Sequence, residues 1–216
     1  MRATNFDRVA SPYRWMEYAS FGPYLDLCRL AQIEHLGGAR SALLLGEGDG
    51  RFLEQLLAAN PCLTADVVDS SSSMLRLLDR RIARMGPETR ERIHLHHADA
   101  LQWTPTATYD LVVSHFFLDC FFSHQIDEIL DRLLPHVDPH ARWLISEFSV
   151  LRRPPASYLS ACIVGFLYQC FGLLTGLPVR RLPDYAACLE HRRFLLSRQE
   201  SFLGGLLQSQ IWSLPG

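Results

Sequence analysis

The chain contains no lysine: all 21 of its basic side chains are arginine. Chemistry that depends on a lysine Schiff base, or on the lysine of a phosphate-binding P-loop, is therefore excluded. No two of the six cysteines (Cys28, Cys62, Cys120, Cys162, Cys170, Cys188) form a C-x-x-C pair, which argues against a structural zinc site. A disulfide framework is not expected in a chain of this size whose start, MRATNFDRVASPYRWMEYA, lacks an apolar signal core. That start leads to the expectation of a cytoplasmic protein. There is no excess of charge of either sign: the formal net charge is -2, so no overall attraction to nucleic acid is expected. Internal repeats and low-complexity stretches are also missing.

What is present is the composition of a globular chain, 48% hydrophobic and 20% charged over 216 residues. This is enough for one domain, 1–216. One segment stands apart. Residues 156–179 carry no charge and are flanked by Arg152, Arg153, Arg180 and Arg181. Such a run is long enough to cross a bilayer. It also contains Ser157, Ser160, Gln169, Gly172, Thr175 and Gly176, so the preferred reading is a buried or cap helix within an apolar cap or interface insertion, 149–182. Membrane-surface contact and a homodimer interface both stay open.

Elsewhere, short apolar runs alternate with helical periods, the pattern of a parallel α/β sheet. Residues 7–36 read as helical, with an apolar stripe (Trp15, Tyr18, Phe21, Leu25, Cys28) broken by Gly22-Pro23. Strands are predicted at SALLL (41–45), at LTADVVD ending at Asp69, at RIHLHH, at YDLVVSHFF and at ARWLISEFSV. The helices between them are RFLEQLLAA, a serine-capped SSSSMLRLLDRRIARM and the amphipathic HQIDEILDRLLPHV. A short helix from about Asp184 to Arg193 and a hairpin around Gly204-Gly205 close the chain. The expected fold is an α/β, Rossmann-like, seven-stranded, mostly parallel sheet with a C-terminal antiparallel hairpin and helices on both faces. Its divisions would be an N-terminal helical lid (1–39), a core (40–148), the insertion (149–182) and a last helix with the hairpin (183–216).

The sharpest local signal is LLLGEGDGRF. Gly46, Gly48 and Gly50 alternate directly after a strand and before a helix, where glycine allows a sharp turn and a close ligand approach and the helix start offers free amides. A tight structural turn would read the same way. A dinucleotide loop has G-x-G-x-x-G; here the third glycine comes one residue early. Asp69 ends the next strand about twenty residues on, where an acid can accept hydrogen bonds from ribose hydroxyls. It could equally cap the following helix.

These residues resemble the S-adenosylmethionine (SAM) loop of class I methyltransferases. VDSSSSML is similar to the family's VD-x-S-x-x-ML, which places Ser71 and Met74 on its fixed positions, with Ser70 beside Asp69. HADAL resembles the family's G/A-D-A, with Asp99, Ala100 and Leu101 beside the adenine, although an aspartate after a strand is also a common turn former. YDLVVSHFFLDCF, with Asp110 at its start, resembles the fourth-strand motif ending against the methionine part of SAM. HFFLDCF, SEF and LPDY together resemble a set of small bacterial methyltransferases. The resemblance covers about residues 40–150 and, in outline, the hairpin.

The resemblance implies SAM as cofactor, with S-adenosylhomocysteine (SAH) as product, and a binding set of Gly46, Glu47, Gly48, Gly50, Asp69, Ser70, Met74, Asp99, Ala100, Leu101 and Ser114. It implies direct in-line methyl transfer to a small acceptor, and the apolar content of the insertion 149–182 suggests that this acceptor is hydrophobic. Ligands in such sheets sit beyond the C-terminal strand ends, where His115 is a candidate general base, with Asp119 one helical turn on and Glu147 at the end of the fifth strand. His115 reads at least as readily as a packing or substrate-contact residue, and for Glu147 an ordinary solvated strand-end acid is the preferred reading. Phe116, Phe117, Tyr185 and Tyr13 are candidate substrate contacts, and Tyr13 and Tyr18 fall where relatives close a lid. One departure is clear: the family's acid two residues before the first loop glycine is Leu44 here, leaving Glu47 or Asp49 as substitutes.

No metal is expected. Alternation puts His94 and His96 on one face and His97 on the other, with no carboxylate apparent to complete a set. The rival readings are a non-catalytic SAM-binding subunit, or a module that uses 156–179 to hold a partner protein or membrane. A nucleotide-cofactor oxidoreductase is disfavoured by the glycine spacing.

Overall fold

A computed structural model describes residues 21–149 and 182–215. The described residues form one seven-stranded sheet from β1 (Ser41–Leu45), β2 (Thr64–Asp69), β3 (Ile93–His97), β4 (Tyr109–His115), β5 (Val137–Phe148), β6 (Leu195–Phe202) and β7 (Leu207–Ser213). Their spatial order is β3-β2-β1-β4-β5-β7-β6. The pairs among β1 to β5 are parallel, and β7 runs antiparallel to both β5 and β6. This is the Rossmann-like sheet with a closing hairpin that the sequence pattern leads one to expect.

The helices are α1 (Tyr24–Leu30), α2 (Arg51–Ala59), α3 (Ser72–Ala83), α4 (Pro87–Glu91), α5 (Ser123–Leu133) and α6 (Tyr185–His191). The apolar runs of β1 and β4 are continuous because both strands are covered on two faces. On one face Leu44, Val67, Val113 and Leu144 pack with Phe52, Leu53 and Leu56 of α2 and Leu78 and Ile82 of α3. On the other, Leu43, Val112, Trp143 and Ile145 pack with Ile126, Ile129 and Leu130 of α5 and Leu189 of α6. Each such fully buried side chain contributes about 1.5–3 kcal/mol.

Caps set several boundaries. Ser71 Oγ accepts the Met74 amide at 3.2 Å, and Asp184 Oδ1 accepts that of Ala187 at 3.1 Å. Gly22 turns with φ 57° just before α1, and the helical stretch expected ahead of it lies outside the described residues. Two features differ from expectation. Helix α4 follows Gly86, with Pro87 in its first position. Strand β5 begins at Val137 rather than Ala141 and meets β4 through a register shift near Tyr109. Asp110 lies at the start of β4, where its carboxylate accepts the amides of Arg40 (2.9 Å) and Ser41 (3.1 Å). It staples β4 to β1 at the sheet edge opposite the glycine turn.

Candidate active site

The turn after β1 is built by conformation. Gly46, Gly48 and Gly50 all have positive φ (64°, 72° and 81°). A Cβ on Gly46 would lie 2.4 Å from Phe117 Cδ2, and one on Gly50 would lie 2.8 Å from Leu78 Cγ. Glycine is therefore required at these two positions by both backbone and space. The Gly46 amide donates to Val68 O at 2.9 Å, joining the loop to β2. Gly50 caps α2 without a side chain, and Glu47 Oε1 supplies the acceptor instead, taking the Leu53 amide at 2.9 Å.

An ion-pair chain braces this turn. Asp26 of α1 holds Arg29 (2.9 Å) and Arg51 (3.0 Å); Asp49 holds Arg51 (2.9 Å) and Arg81 (3.2 Å); Arg81 also reaches Glu54 at 3.0 Å. The chain links α1, the loop, α2 and α3. Arg29 also stacks over the Phe116 ring, 5.1 Å from its centroid. Arg51 and Arg81 also take partners from distant segments, Asp26 and Asp49, which the sequence alone does not bring together.

Asp69 ends β2 next to the loop. Its Oδ1 accepts the Ser71 amide at 2.8 Å, and its Oδ2 lies 3.4 Å from the Gly48 amide. The carboxylate thus joins both turns. Ser70 is exposed and its carbonyl faces His97 Nε2 at 3.0 Å, while the Met74 side chain is buried in the first turn of α3. Asp99 forms a turn: its Oδ1 accepts the Leu101 amide at 3.0 Å, and its carbonyl accepts those of Gln102 and Trp103, both at 2.9 Å. With Ala100 and Leu101 it lies beyond the end of β3.

The catalytic candidates separate into two environments. His115 pairs with Ser146 across the β4–β5 ladder, so its side chain and that of Glu147 project to opposite faces of the sheet. His115 is buried edge-on against Phe52, with ring centroids 4.4 Å apart. Among the described residues, neither ring nitrogen has a hydrogen-bond partner. Burial, and after it the Arg29 charge, holds the imidazole well below its ordinary value.

Glu147 is fully buried, which corrects the solvated strand-end reading. Its Oε1 accepts the amides of Phe117 (3.0 Å) and Leu118 (2.7 Å), capping the short turn 118–120. Its Oε2 has no partner among the described residues. Burial first, then the neighbouring Asp119, pushes its carboxyl well above the usual range, while Asp119 is itself raised to about 6 by burial. Asp119 lies in that short turn rather than one turn into a helix. Phe116 enters the turn with φ 51°, an uncommon conformation for a bulky residue. Phe117 packs on Phe121, with centroids 4.9 Å apart, and Tyr185 donates to Gln210 Oε1 at 3.1 Å.

Ser114 requires a correction as a binding candidate. Its side chain is fully buried and its Oγ accepts the Trp143 indole N–H at 3.1 Å, so it serves the core. The histidine run requires another: a carboxylate does stand beside His94 and His96, that of Asp66 on the adjacent strand. Among the described residues, no group of three or more His, Cys, Asp or Glu is arranged to hold a metal ion. No described helix is long and apolar enough to cross a membrane. Tyr13, Tyr18 and the uncharged run 156–179 lie outside the described residues.

Comparison with known proteins follows this geometry. Residues 43–142 match the family model of a methyltransferase domain. No curated protein matches the chain. Among solved structures, it is similar to the mitomycin 7-O-methyltransferase MmcR, with TM-score 0.72 and 19% identity over 98% of this chain and 61% of that one. An O-methyltransferase family protein from Burkholderia thailandensis gives 0.73 and 16% over 96% and 60%. The N-methyltransferase NodS from Bradyrhizobium japonicum WM9, solved with S-adenosyl-L-homocysteine, gives 0.61 and 15% over 89% and 85%. The chain thus spans about three fifths of the length of the first two. At these identities the likeness is one of fold.

Proposed function

We propose that the protein, whose residues 43–142 match a methyltransferase domain and whose fold is that of class I methyltransferases, binds SAM along the C-terminal edge of β1, β2 and β3 and methylates a small apolar acceptor. The observation that carries this reading is the joint geometry of the loop and Asp69: three glycines at positive φ, and one strand away a carboxylate that holds the Gly48 and Ser71 amides. An acid at this strand end can accept hydrogen bonds from ribose hydroxyls, which supports the reading; charge-assisted bonds of this kind are worth about 1.5–3 kcal/mol each. Gly46, Gly48 and Gly50 let the backbone approach the cofactor, Asp99, Ala100 and Leu101 border the adenine, and Ser70 and Met74 flank the ribose.

Glu47 takes the role of the missing strand acid. Leu44 is fully buried in the core, and Asp49 is engaged by Arg51 and Arg81. Glu47 remains at the loop, half-buried, its carboxyl pushed up to about 8 by desolvation. A cationic ammonium brought beside it would favour its ionised form.

When bound, SAM supplies an electrophilic methyl group on a sulfonium. The chain's own residues would orient the acceptor in line with that group and exclude water, so positioning supplies most of the acceleration. Phe116, Phe117 and Tyr185 provide an aromatic border near the ends of β4 and β5, which supports an apolar acceptor. His115, kept neutral under Phe52, packs one face; on the other, Glu147 and Asp119 supply a proton-bearing carboxyl pair. Calorimetric titration with SAH, followed by transfer of labelled methyl groups to apolar aromatic acceptors, tests this reading. Binding without transfer to any acceptor would favour a non-catalytic SAM-binding subunit.

A further inference from the structure

The histidine run on β3 is left unused by the function proposed above, although its surroundings are well defined. Asp66 is only 9% exposed, and its carboxylate is gripped from two other strands. Its Oδ1 meets His96 Nε2 at 2.7 Å and His94 Nδ1 at 3.3 Å, and its Oδ2 accepts the Tyr109 hydroxyl at 2.7 Å. Tyr109 reaches it from β4, across β1. Burial and the Asp66 charge both push the Tyr109 phenol up, so it stays a donor.

The two histidines differ in what lies beyond Asp66. The His94 side chain is 61% exposed. The half-buried His96 ring packs on the Trp103 indole, with centroids 5.1 Å apart and planes at 51°. Trp103 is the last residue of the Asp99 turn, since its amide donates to Asp99 O at 2.9 Å. His96 is also in register with Val68, the residue before Asp69. One β2–β3 ladder therefore carries the ribose acid on one strand and the support of the adenine turn on the other.

We propose that His96, clamped by Asp66, is a positioning residue that fixes the Asp99–Trp103 turn through the Trp103 ring and so sets the selectivity of the site for adenine. This inference rests on the cofactor reading. A ring held at its far end by a buried carboxylate has its orientation fixed, and a fixed ring gives the indole one packing position. The turn's own hydrogen bonds set its shape, while the His96–Trp103 contact sets its place relative to β3. His94 shares the carboxylate without reaching the indole, which makes it the internal control.

The test compares binding of SAH and of its inosine analogue, which lacks the adenine amino group, to wild type, His96→Ala and His94→Ala. Wild type should prefer SAH. His96→Ala should bind SAH about tenfold more weakly and lose most of that preference, while His94→Ala should match wild type within about twofold. A second measurement uses ligand-free protein. The His96 ring covers part of the Trp103 indole, so acrylamide quenching of Trp103 emission, assigned by difference from Trp103→Phe, should rise in His96→Ala and stay unchanged in His94→Ala. Wild-type affinity and selectivity in a folded His96→Ala would overturn the inference and leave the cofactor reading intact. A wild type that binds neither compound, while His96→Ala alone still exposes Trp103 to acrylamide, would instead overturn the cofactor reading, and the adenine role of His96 with it.

Discussion

His115 and Glu147 stand one register position apart on β4 and β5, yet they face opposite sides of the sheet. His115 lies under Phe52, with neither ring nitrogen partnered among the described residues, and Glu147 caps the turn that follows β4. A single acid–base pair made of these two side chains is not what the fold presents. Each carries its own consequence for stability and pH.

For His115 the folded imidazole is depressed below its unfolded value of roughly 6.5. A depressed histidine leaves the unfolded chain binding the extra proton in acid. Stability is full above the unfolded value and falls as pH drops below it. His115→Leu should remove that acid slope and relieve the unpartnered nitrogens, making the variant about 1–2 kcal/mol more stable than wild type at pH 5.5, with a smaller difference at pH 8. Urea denaturation at the two pH values checks this. A variant less stable than wild type at pH 5.5 would contradict the neutral, unpartnered imidazole.

Asp119 has the opposite sign. Its folded carboxyl is raised from 3.8 to about 6, chiefly by burial. The folded state holds the proton that the unfolded state has already released, so stability is lost as pH rises from about 4 through 6 and is level above that. Asp119→Asn should gain about 2 kcal/mol relative to wild type between pH 4 and pH 7. Thermal melts across that range measure the gain; a constant difference would remove the raised carboxyl from the account.

Gly46 and Gly48 test the loop geometry. Both have positive φ, but only at Gly46 would a Cβ meet another residue, Phe117 at 2.4 Å. Gly48→Ala should cost about 1 kcal/mol from the backbone alone. Gly46→Ala should cost about 2 kcal/mol or more, and Phe117→Ala in the same chain should recover part of the difference. Equal costs for the two glycines, measured by denaturant titration, would mean the aromatic contact does not constrain the loop.

Glu47 gives the cofactor reading a proton signature. With its carboxyl raised to about 8, much of it is protonated in the free protein at pH 7. Binding an ammonium beside it should therefore expel a proton, and affinity should rise with pH through that range. Calorimetry of SAH binding in two buffers of different ionisation enthalpy counts the proton. Glu47→Gln should abolish the release; release that persists in the variant would assign it elsewhere.

Much of this architecture is legible in the sequence because it depends on local rules. SALLL and RFLEQLLAA fall on β1 and α2 because an apolar run bounded by a glycine turn, followed by helical spacing, admits few other readings. Ser71 and Asp184 cap where their side chains allow. What the sequence hides depends on strand adjacency. Asp66 completes the histidine pair only because β2 lies beside β3, and Tyr109 reaches it only because β4 lies one strand further on. The opposite projection of His115 and Glu147 follows from register, which no local pattern specifies. Ser114 looked like a site residue until the neighbouring strand placed the Trp143 indole against it. The Asp26–Arg51–Asp49–Arg81 chain joins four segments, and Asp49, a candidate cofactor acid by sequence, is occupied within it by two arginines.

The most direct test of the central claim is calorimetric titration of SAH into wild type and Asp69→Ala. The account predicts micromolar binding by wild type, weakened by the substitution by about 1.4 kcal/mol or more, roughly tenfold. No binding by a well-folded wild type, or equal affinity in the variant, would contradict the assignment of the β1–β2 edge as a SAM site.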